Sequence, residues 1–399
     1  MRPGGTVGRR PAFLQGVPGV GYNSGMESGG FEQNGVTSGV WRAIDASANR
    51  AGEALRVLED VVRFVLDDTH LTHLAKDLRH DLASILATEA LRQRVFLRDV
   101  AGDVGAGVAA AAALPRSTAG DLLAANAARA AQALRSLQEC AAVVAPEAAG
   151  GFEAIRYRLY ALERAARGSL AANGRLAGIH LCVLVDGRAD LGAFDRLLES
   201  LLEAGVRMVQ IRDKGLPAAA VATRAQHAVA IARRRHPDGG AIVVVNDRAD
   251  IAAAVNADGV HTGSDDLPTP LVRRVVGPGR LVGRTAHDIA EARAAVADGA
   301  DYLGVGPCFP SPTKSFDAFA AAEFLRSVAR ETSLPAFAIG GITLERLAAV
   351  ESLGFKRVAV ASAVTGAADP AAAARGFIER LGDRDRPLPR AALAPGEAP

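Results

Sequence analysis

The sequence has little cysteine, few aromatic residues and almost no net charge. Its three cysteines (Cys140, Cys182 and Cys308) are odd in number and far apart in 399 residues. They exclude a disulfide framework, offer no metal-ligand spacing and fit a reducing, cytoplasmic setting. Basic residues number 46 against 44 acidic ones, a formal charge of +2. The chain therefore lacks the basic footprint of a nucleic-acid binder, despite a local run at Arg233-Arg234-Arg235. No uninterrupted apolar run reaches the roughly 18 residues of a membrane-spanning helix, so no membrane partner is expected. Aromatics make up only 5% of residues, which leaves small and aliphatic side chains to build the cores. At roughly 150 residues per domain, the length implies two or three domains.

What is present divides the chain. Residues 1–39 are glycine-rich with few apolar residues between, too little to offset the entropy of ordering, and are expected to be disordered. Phe13-Leu14 is far short of the apolar stretch of a secretory signal, and Met26 offers a second start beside Met1. Residues 384–399, rich in proline and alanine, are expected to form a disordered tail. From 40 to 170 the pattern is helical. Ile44, Leu55, Leu58, Val62 and Leu66 recur at helical spacing, and ARAAQALRSLQE (128–139) repeats NRAGEALRVLED (49–60). Strand signals are nearly absent there, so this part is expected to be an all-α domain. Beyond a Gly/Ala-rich hinge, residues 178–383 alternate eight short β-branched runs with helical stretches. Continuous apolar strands joined by helices mean a parallel sheet covered on both faces. Eight such units close into a (β/α)8 barrel, with an open doubly wound sheet as the alternative.

A barrel of this kind carries its site at the carboxyl ends of its strands, so polar residues there are informative. The second strand ends Gln210-Ile211-Arg212-Asp213-Lys214. Period-two alternation points Gln210, Arg212 and Lys214 the same way, two cations and an amide suited to an anionic, phosphorylated ligand. The third and fourth strands end in Asn246-Asp247 and in HTGSDD, which carries Asp266. Each aspartate alone would serve as a helix cap. Together, beside the basic patch, they suit one Mg²⁺ shared with a diphosphate. The fifth strand offers Thr285 as a donor. After the sixth, GPCFPSPTK (306–314) holds three prolines, which forbid helix and strand. Its Ser311, Thr313 and Lys314 suit oxyanion binding. Gly340-Gly341 and Ala361-Ser362 end strands seven and eight, where backbone N–H groups commonly hold a phosphate. Two anion sites on one barrel imply two phosphorylated small-molecule substrates, one of them a diphosphate. No Ser-His-Asp arrangement, catalytic cysteine or Schiff-base lysine stands out.

QIRDK (210–214), VNDR (245–248), DGVHTGSDDLP (258–268), GPCFPSPTK (306–314), IGGI (339–342) and VASAV (360–364) resemble, in order and spacing, the motifs of thiamine-phosphate synthase. Each is modest alone, but the combination is specific and spans half of the chain. The resemblance implies a (β/α)8 barrel and a transferase. In that reaction 4-amino-5-hydroxymethyl-2-methylpyrimidine diphosphate loses diphosphate dissociatively, and the nitrogen of a thiazole phosphate attacks the exposed methylene. It further implies Asp247 and Asp266 as Mg²⁺ ligands. Gln210, Ile211, Arg212, Asp213, Lys214, Asn246, Thr285 and Lys314 would hold the pyrimidine diphosphate, with Arg212, Lys214 and Lys314 acting on the leaving group. Ser311, Pro312, Thr313, Gly341, Ala361 and Ser362 would hold the thiazole phosphate. The chain departs from the family at Ser264 (usually Gln), Thr285 (often Ser) and Ser311 (often Thr), each keeping a polar group.

The alternatives are a thiazole tautomerase, a sibling barrel lacking the Pro-[ST]-Pro-Thr-Lys loop, and a non-enzymatic sensor of phosphorylated ligands. WRAIDASANRAGEALRVLED with LRH (78–80) resembles a helical domain fused ahead of some thiamine-phosphate synthases. That likeness implies a kinase for the pyrimidine monophosphate, although no glycine-rich nucleotide loop accompanies it. A salt-bridged solvent face or a dimerising role is the rival for those charges, and a homo-oligomer is compatible with the sequence.

Overall fold

In the computed structural model, the described residues are 29–99, 101–104, 116–310 and 319–382, with 29–36 described as backbone only. The first helix, α1, runs Gly29–Asp60. Residues 29–39, expected to be loose, are therefore helical: extending a helix already anchored by the buried Trp41 and Ile44 requires no new nucleus. The rest of the expected disordered segment, and the tail 384–399, lie outside the described residues.

After a π-helical turn at Val61–Val65 come α2 (Thr69–Leu86), the short α3 (Glu89–Arg92), α4 (Ala119–Val144) and α5 (Pro146–Arg175). Their starts have local causes. The Asp68 carboxylate accepts from Leu71 N at 2.7 Å, Thr118 and Asp121 form a reciprocal capping box on α4, and Pro146 opens α5 where no N–H is needed. The internal repeat is an interface. Ala51, Ala54, Leu55 and Leu58 of α1 and their counterparts Ala130, Ala133, Leu134 and Leu137 of α4 are all buried, and α1 and α4 pack extensively against each other. Paired alanines let the two helices approach closely.

The remainder is a closed parallel barrel, β1 (Leu181–Val185), β2 (Met208–Ile211), β3 (Ile242–Asn246), β4 (Gly259–Thr262), β5 (Leu281–Ala286), β6 (Tyr302–Val305), β7 (Ala336–Ile339) and β8 (Arg357–Val360), with β8 pairing back to β1. Alternation divides each strand between two cores. Cys182, Met208, Val244, Tyr302 and Phe337 fill the barrel interior, whereas Val183, Val209, Val243 and Leu303 face the surrounding helices. The helical region docks on the amino-terminal end of this barrel, away from the strands' carboxyl ends. Arg164 donates to Ala297 O at 2.6 Å, Asn173 to Ser333 O at 2.9 Å and Arg175 to Gly279 O at 2.8 Å, and these acceptors precede β6, β7 and β5.

Candidate active site at the barrel mouth

At the carboxyl ends of the strands lies a cavity of about 560 Å³. Its first wall comes from β2 and β3. Gln210 points inward in phase with Met208, and Arg212, Lys214, Asn246 and Asp247 line the same wall. The phase that brings Gln210 inward turns Ile211 outward, where it is 1% exposed and packed in the core between strands and helices. A ligand-binding role for the Ile211 side chain is thus excluded by strand alternation. Asp213 is also a correction. Its carboxylate accepts from Gly187 N (2.9 Å), Gly215 N (2.8 Å) and Leu216 N (3.0 Å), so it shapes the loop and does not line the cavity. Burial works to raise its pKa, but these N–H bonds and Arg224 outweigh burial and hold it below the usual carboxylate range.

Asp247 and Asp266 face one another across the ends of β3 and β4, with Lys214 Nζ 3.6 Å from Asp247 Oδ2. Asp247 has a left-handed backbone (φ +60°), a conformation aspartate tolerates better than most residues and one that recurs at functional sites. Burial first, and then the adjoining Asp266 carboxyl, raise its pKa, while Lys214 and Arg212 oppose the rise. Asp266 Oδ2 is aimed by Gly263 N at 2.7 Å. Two hard oxygen donors that repel when both ionised, open to a cavity, fit a divalent cation such as Mg²⁺. Among the described residues no group of three or more His, Cys, Asp or Glu converges, so water and substrate oxygens would complete its shell.

Beneath this wall the inner face of β4 and β5 carries a polar pair. His261 Nε2 lies 3.0 Å from Thr285 Oγ1, and the imidazole stacks on Tyr302 with centroids 5.4 Å apart. Burial, then the Arg284 and Arg212 cations, push the His261 pKa down to about 4, so it is a neutral ring. Sequence reasoning assigned His261 no role; its position two residues after Gly259 on the inward face was the available signal.

The opposite wall belongs to β7 and β8. Gly340 and Gly341 have φ of +101° and +61°. A Cβ on Gly341 would fall on the Pro310 carbonyl oxygen and 2.6 Å from that of Phe309. Both features demand glycine, and both let the loop after β6 lie against the loop after β7. Ala361 and Ser362 line the cavity at the start of the short helix Ser362–Thr365. Arg346, missed because TLERL reads as an ordinary amphipathic helix, also lines it, donating to Gly341 O at 2.6 Å and stacking on Phe309. Ser311, Pro312, Thr313 and Lys314 lie outside the described residues. Burial pushes the Cys182 thiol up to about 12 and that of Cys308 to about 11, which disfavours the thiolate form of both.

Fold and cavity together define the class, a (β/α)8 barrel with a polar cavity at the carboxyl ends of its strands. Residues 181–364 match the family model "Thiamine monophosphate synthase" and residues 42–165 the model "ThiD2 family". The chain is similar to thiamine-phosphate synthase of Rhodopirellula baltica, with 40% identity over 83% of this chain and 90% of that protein. It is also similar to that of Prochlorococcus marinus, with 39% identity over 86% and 96%. Among solved structures, thiamine phosphate pyrophosphorylase from Pyrococcus furiosus is 30% identical over 53% of this chain and 98% of its own, with a TM-score of 0.46. The chain belongs to the thiamine-phosphate synthase family and is a transferase of thiamine biosynthesis.

Proposed function

We propose that the barrel condenses 4-amino-5-hydroxymethyl-2-methylpyrimidine diphosphate with 4-methyl-5-(2-phosphoethyl)thiazole to give thiamine phosphate and diphosphate. The observation that carries this reading is the sharing of one cavity by two unlike walls. One pairs Asp247 and Asp266 with Arg212 and Lys214; the other is built from Gly341, Arg346, Ala361 and Ser362. Mg²⁺ held by Asp247 and Asp266 would supply charge neutralisation for a departing diphosphate. Arg212 and Lys214 add fixed positive charge on the same side, where it is worth more than in water. Gln210, Asn246 and Thr285 offer neutral polar contacts for the pyrimidine. The second wall holds the thiazole phosphate so that its ring nitrogen reaches the methylene as the C–O bond to diphosphate breaks, converting an encounter into a positioned attack. Such a substitution needs little proton transfer, in keeping with a His261 ring that stays neutral above pH 4. Ser311, Thr313 and Lys314, on the loop after β6, complete the oxyanion contacts in this reading.

The test is a discontinuous assay with both phosphorylated substrates, with and without EDTA. Thiamine phosphate formation abolished by EDTA and restored by Mg²⁺ is the expected result; a single-substrate isomerisation indifferent to EDTA would replace the synthase by the tautomerase reading. Asp247→Ala and Lys314→Ala should each lower turnover by about 10²–10³-fold, the size of effect seen when one preorganised electrostatic contact is lost. For the helical region, a kinase acting on the pyrimidine monophosphate would supply the barrel's own substrate. The likeness of residues 42–165 to the ThiD2 family supports it. Formation of the pyrimidine diphosphate from ATP and the monophosphate by the full-length Asp247→Ala chain would establish it.

A further inference from the structure

Asp266 owes its place at the mouth to the turn 263–267, between β4 and the helix Thr269–Val276. Gly263, Ser264, Asp265 and Asp266 of this turn line the cavity. Within it, Gly263 N donates to Asp266 Oδ2 at 2.7 Å and Asp266 N to Gly263 O at 3.3 Å. These two bonds close the turn on itself but leave its tilt over the barrel rim to other contacts. Ser264, Asp265 and Leu267 are exposed, so packing alone holds the turn weakly.

The tilt is set from β5. Thr285 faces the barrel interior, where it meets His261, so strand alternation turns Arg284 outward, to the rim between β4 and β5. From there its guanidinium folds over the turn. Nη1 donates to Leu267 O at 3.0 Å and to Thr262 Oγ1 at 3.3 Å, and Nη2 donates to Ser264 O at 3.1 Å. The two carbonyls bracket Asp266 in the chain. Thr262 is the buried β4 residue that lies opposite Arg284 in the strand register. One planar fork thus fastens both flanks of the turn to a fixed point of the sheet, which the single point charge of a lysine does less well. Arg284 is not among the side chains lining the cavity, and these donors go to neutral oxygens. Direct ligand contact therefore does not account for a cation at this position.

We propose that Arg284 is a positioning residue for the cation site: by fixing the turn 263–267 it holds the Asp266 carboxylate where Asp247 and Asp266 can share one divalent ion. The inference rests on the reading of these two aspartates as ligands and adds the group that aims one of them. A carboxylate aimed in advance spares the cation the cost of ordering the turn, and partners behind a ligand are typically worth roughly ten- to a hundredfold in metal affinity. The Asp247 side of the site depends on its own left-handed backbone and on Lys214, so the effect of Arg284 is confined to the Asp266 side.

The experiment titrates Mn²⁺ into the full-length chain without substrates and follows the free-ion signal by electron paramagnetic resonance. Arg284→Ala should weaken Mn²⁺ binding roughly tenfold or more. Arg284→Lys, which reaches one carbonyl at a time, should fall between this variant and the parent. In the synthase assay, half-saturation by Mg²⁺ should rise by a similar factor while KM for the thiazole phosphate stays near the parent value, since that wall lies across the mouth. Arg280→Ala is the control for a merely structural loss. Arg280 precedes the same strand and also makes three bonds, to Ala257 O at 3.1 Å, Val276 O at 2.7 Å and Asn256 Oδ1 at 2.7 Å, but at the barrel's amino-terminal end. Its removal should lower the melting temperature and leave Mn²⁺ affinity unchanged. Should Arg284→Ala not fold, Arg284→Lys is compared with Arg280→Lys in its place. Unchanged Mn²⁺ affinity without Arg284, or an equal loss without Arg280, overturns the proposal. A parent chain that binds no Mn²⁺, or binds it as well after Asp247→Ala, overturns instead the metal reading on which it rests.

Discussion

His261 is a residue whose burial has a measurable consequence. Its pKa of about 4 in the folded barrel lies below the ordinary 6.5 that it regains on unfolding. Between these values the unfolded chain takes up a proton that the folded chain refuses, so stability falls as pH is lowered through that window and is untouched above it. The gap corresponds to about 3 kcal/mol at pH 4. Urea unfolding from pH 7 to 4.5 should therefore show a steeper loss for the parent chain than for His261→Gln; parallel curves would mean that the ring is hydrated or already charged. Gly341 makes a different demand at the same scale. Gly341→Ala must bear a left-handed φ and displace the Phe309 and Pro310 carbonyls, so a loss of about 1–3 kcal/mol is expected. KM for the thiazole phosphate should rise more than kcat falls, because the displaced loop belongs to that wall.

At the scale of elements, β2 shows what a short motif can and cannot say. The run QIRDK reads as a block, but a strand presents alternate residues to opposite faces. Gln210 enters the mouth, Ile211 enters the outer core, and beyond the strand Arg212 and Lys214 return to the mouth while Asp213 turns to its own loop. Alternation and strand ends were readable in the sequence because the barrel's strands are uninterrupted apolar runs. The Asp213 contacts were not, since they depend on where Gly187, from the loop after β1, comes to lie. Arg346 was hidden for a related reason: its helix-like surroundings give no hint that the first turn after β7 opens onto the cavity. The amino-terminal edge of α1 was misjudged because glycine-rich composition measures intrinsic preference and not the support of a packed helix downstream. The division within β2 can be measured. Ile211→Ala should cost about 2–4 kcal/mol by leaving a cavity among buried neighbours, with KM values unchanged. Asp213→Ala should raise KM for the pyrimidine diphosphate severalfold at a smaller cost in stability, through the loosened loop that carries Lys214. Equal KM values in both variants would mean that the loop's order does not matter to the mouth.

The whole molecule is two packed bodies joined at the barrel's amino-terminal end, and Asp68 is a buried carboxylate that bonds to both. Its Oδ1 caps α2 through Leu71 N at 2.7 Å. Its Oδ2 accepts from Ser333 N at 2.8 Å and Ser333 Oγ at 3.0 Å, just before β7. The residue is 1% exposed, so its bonds are not in competition with bulk water. Asp68→Ala strands the buried Leu71 N–H of the helical region at about 1–3 kcal/mol, and the half-buried Ser333 N–H of the barrel at a smaller cost. Their losses fall on different bodies, and the joint between them weakens as well. The expected result is that differential scanning calorimetry resolves two transitions in place of one, the helical region melting first. Synthase turnover below that first transition should stay near the parent rate, because the mouth lies at the other end of the strands. A single lowered transition with turnover lost in step would instead mean that the barrel cannot hold its site without the helices packed beneath it.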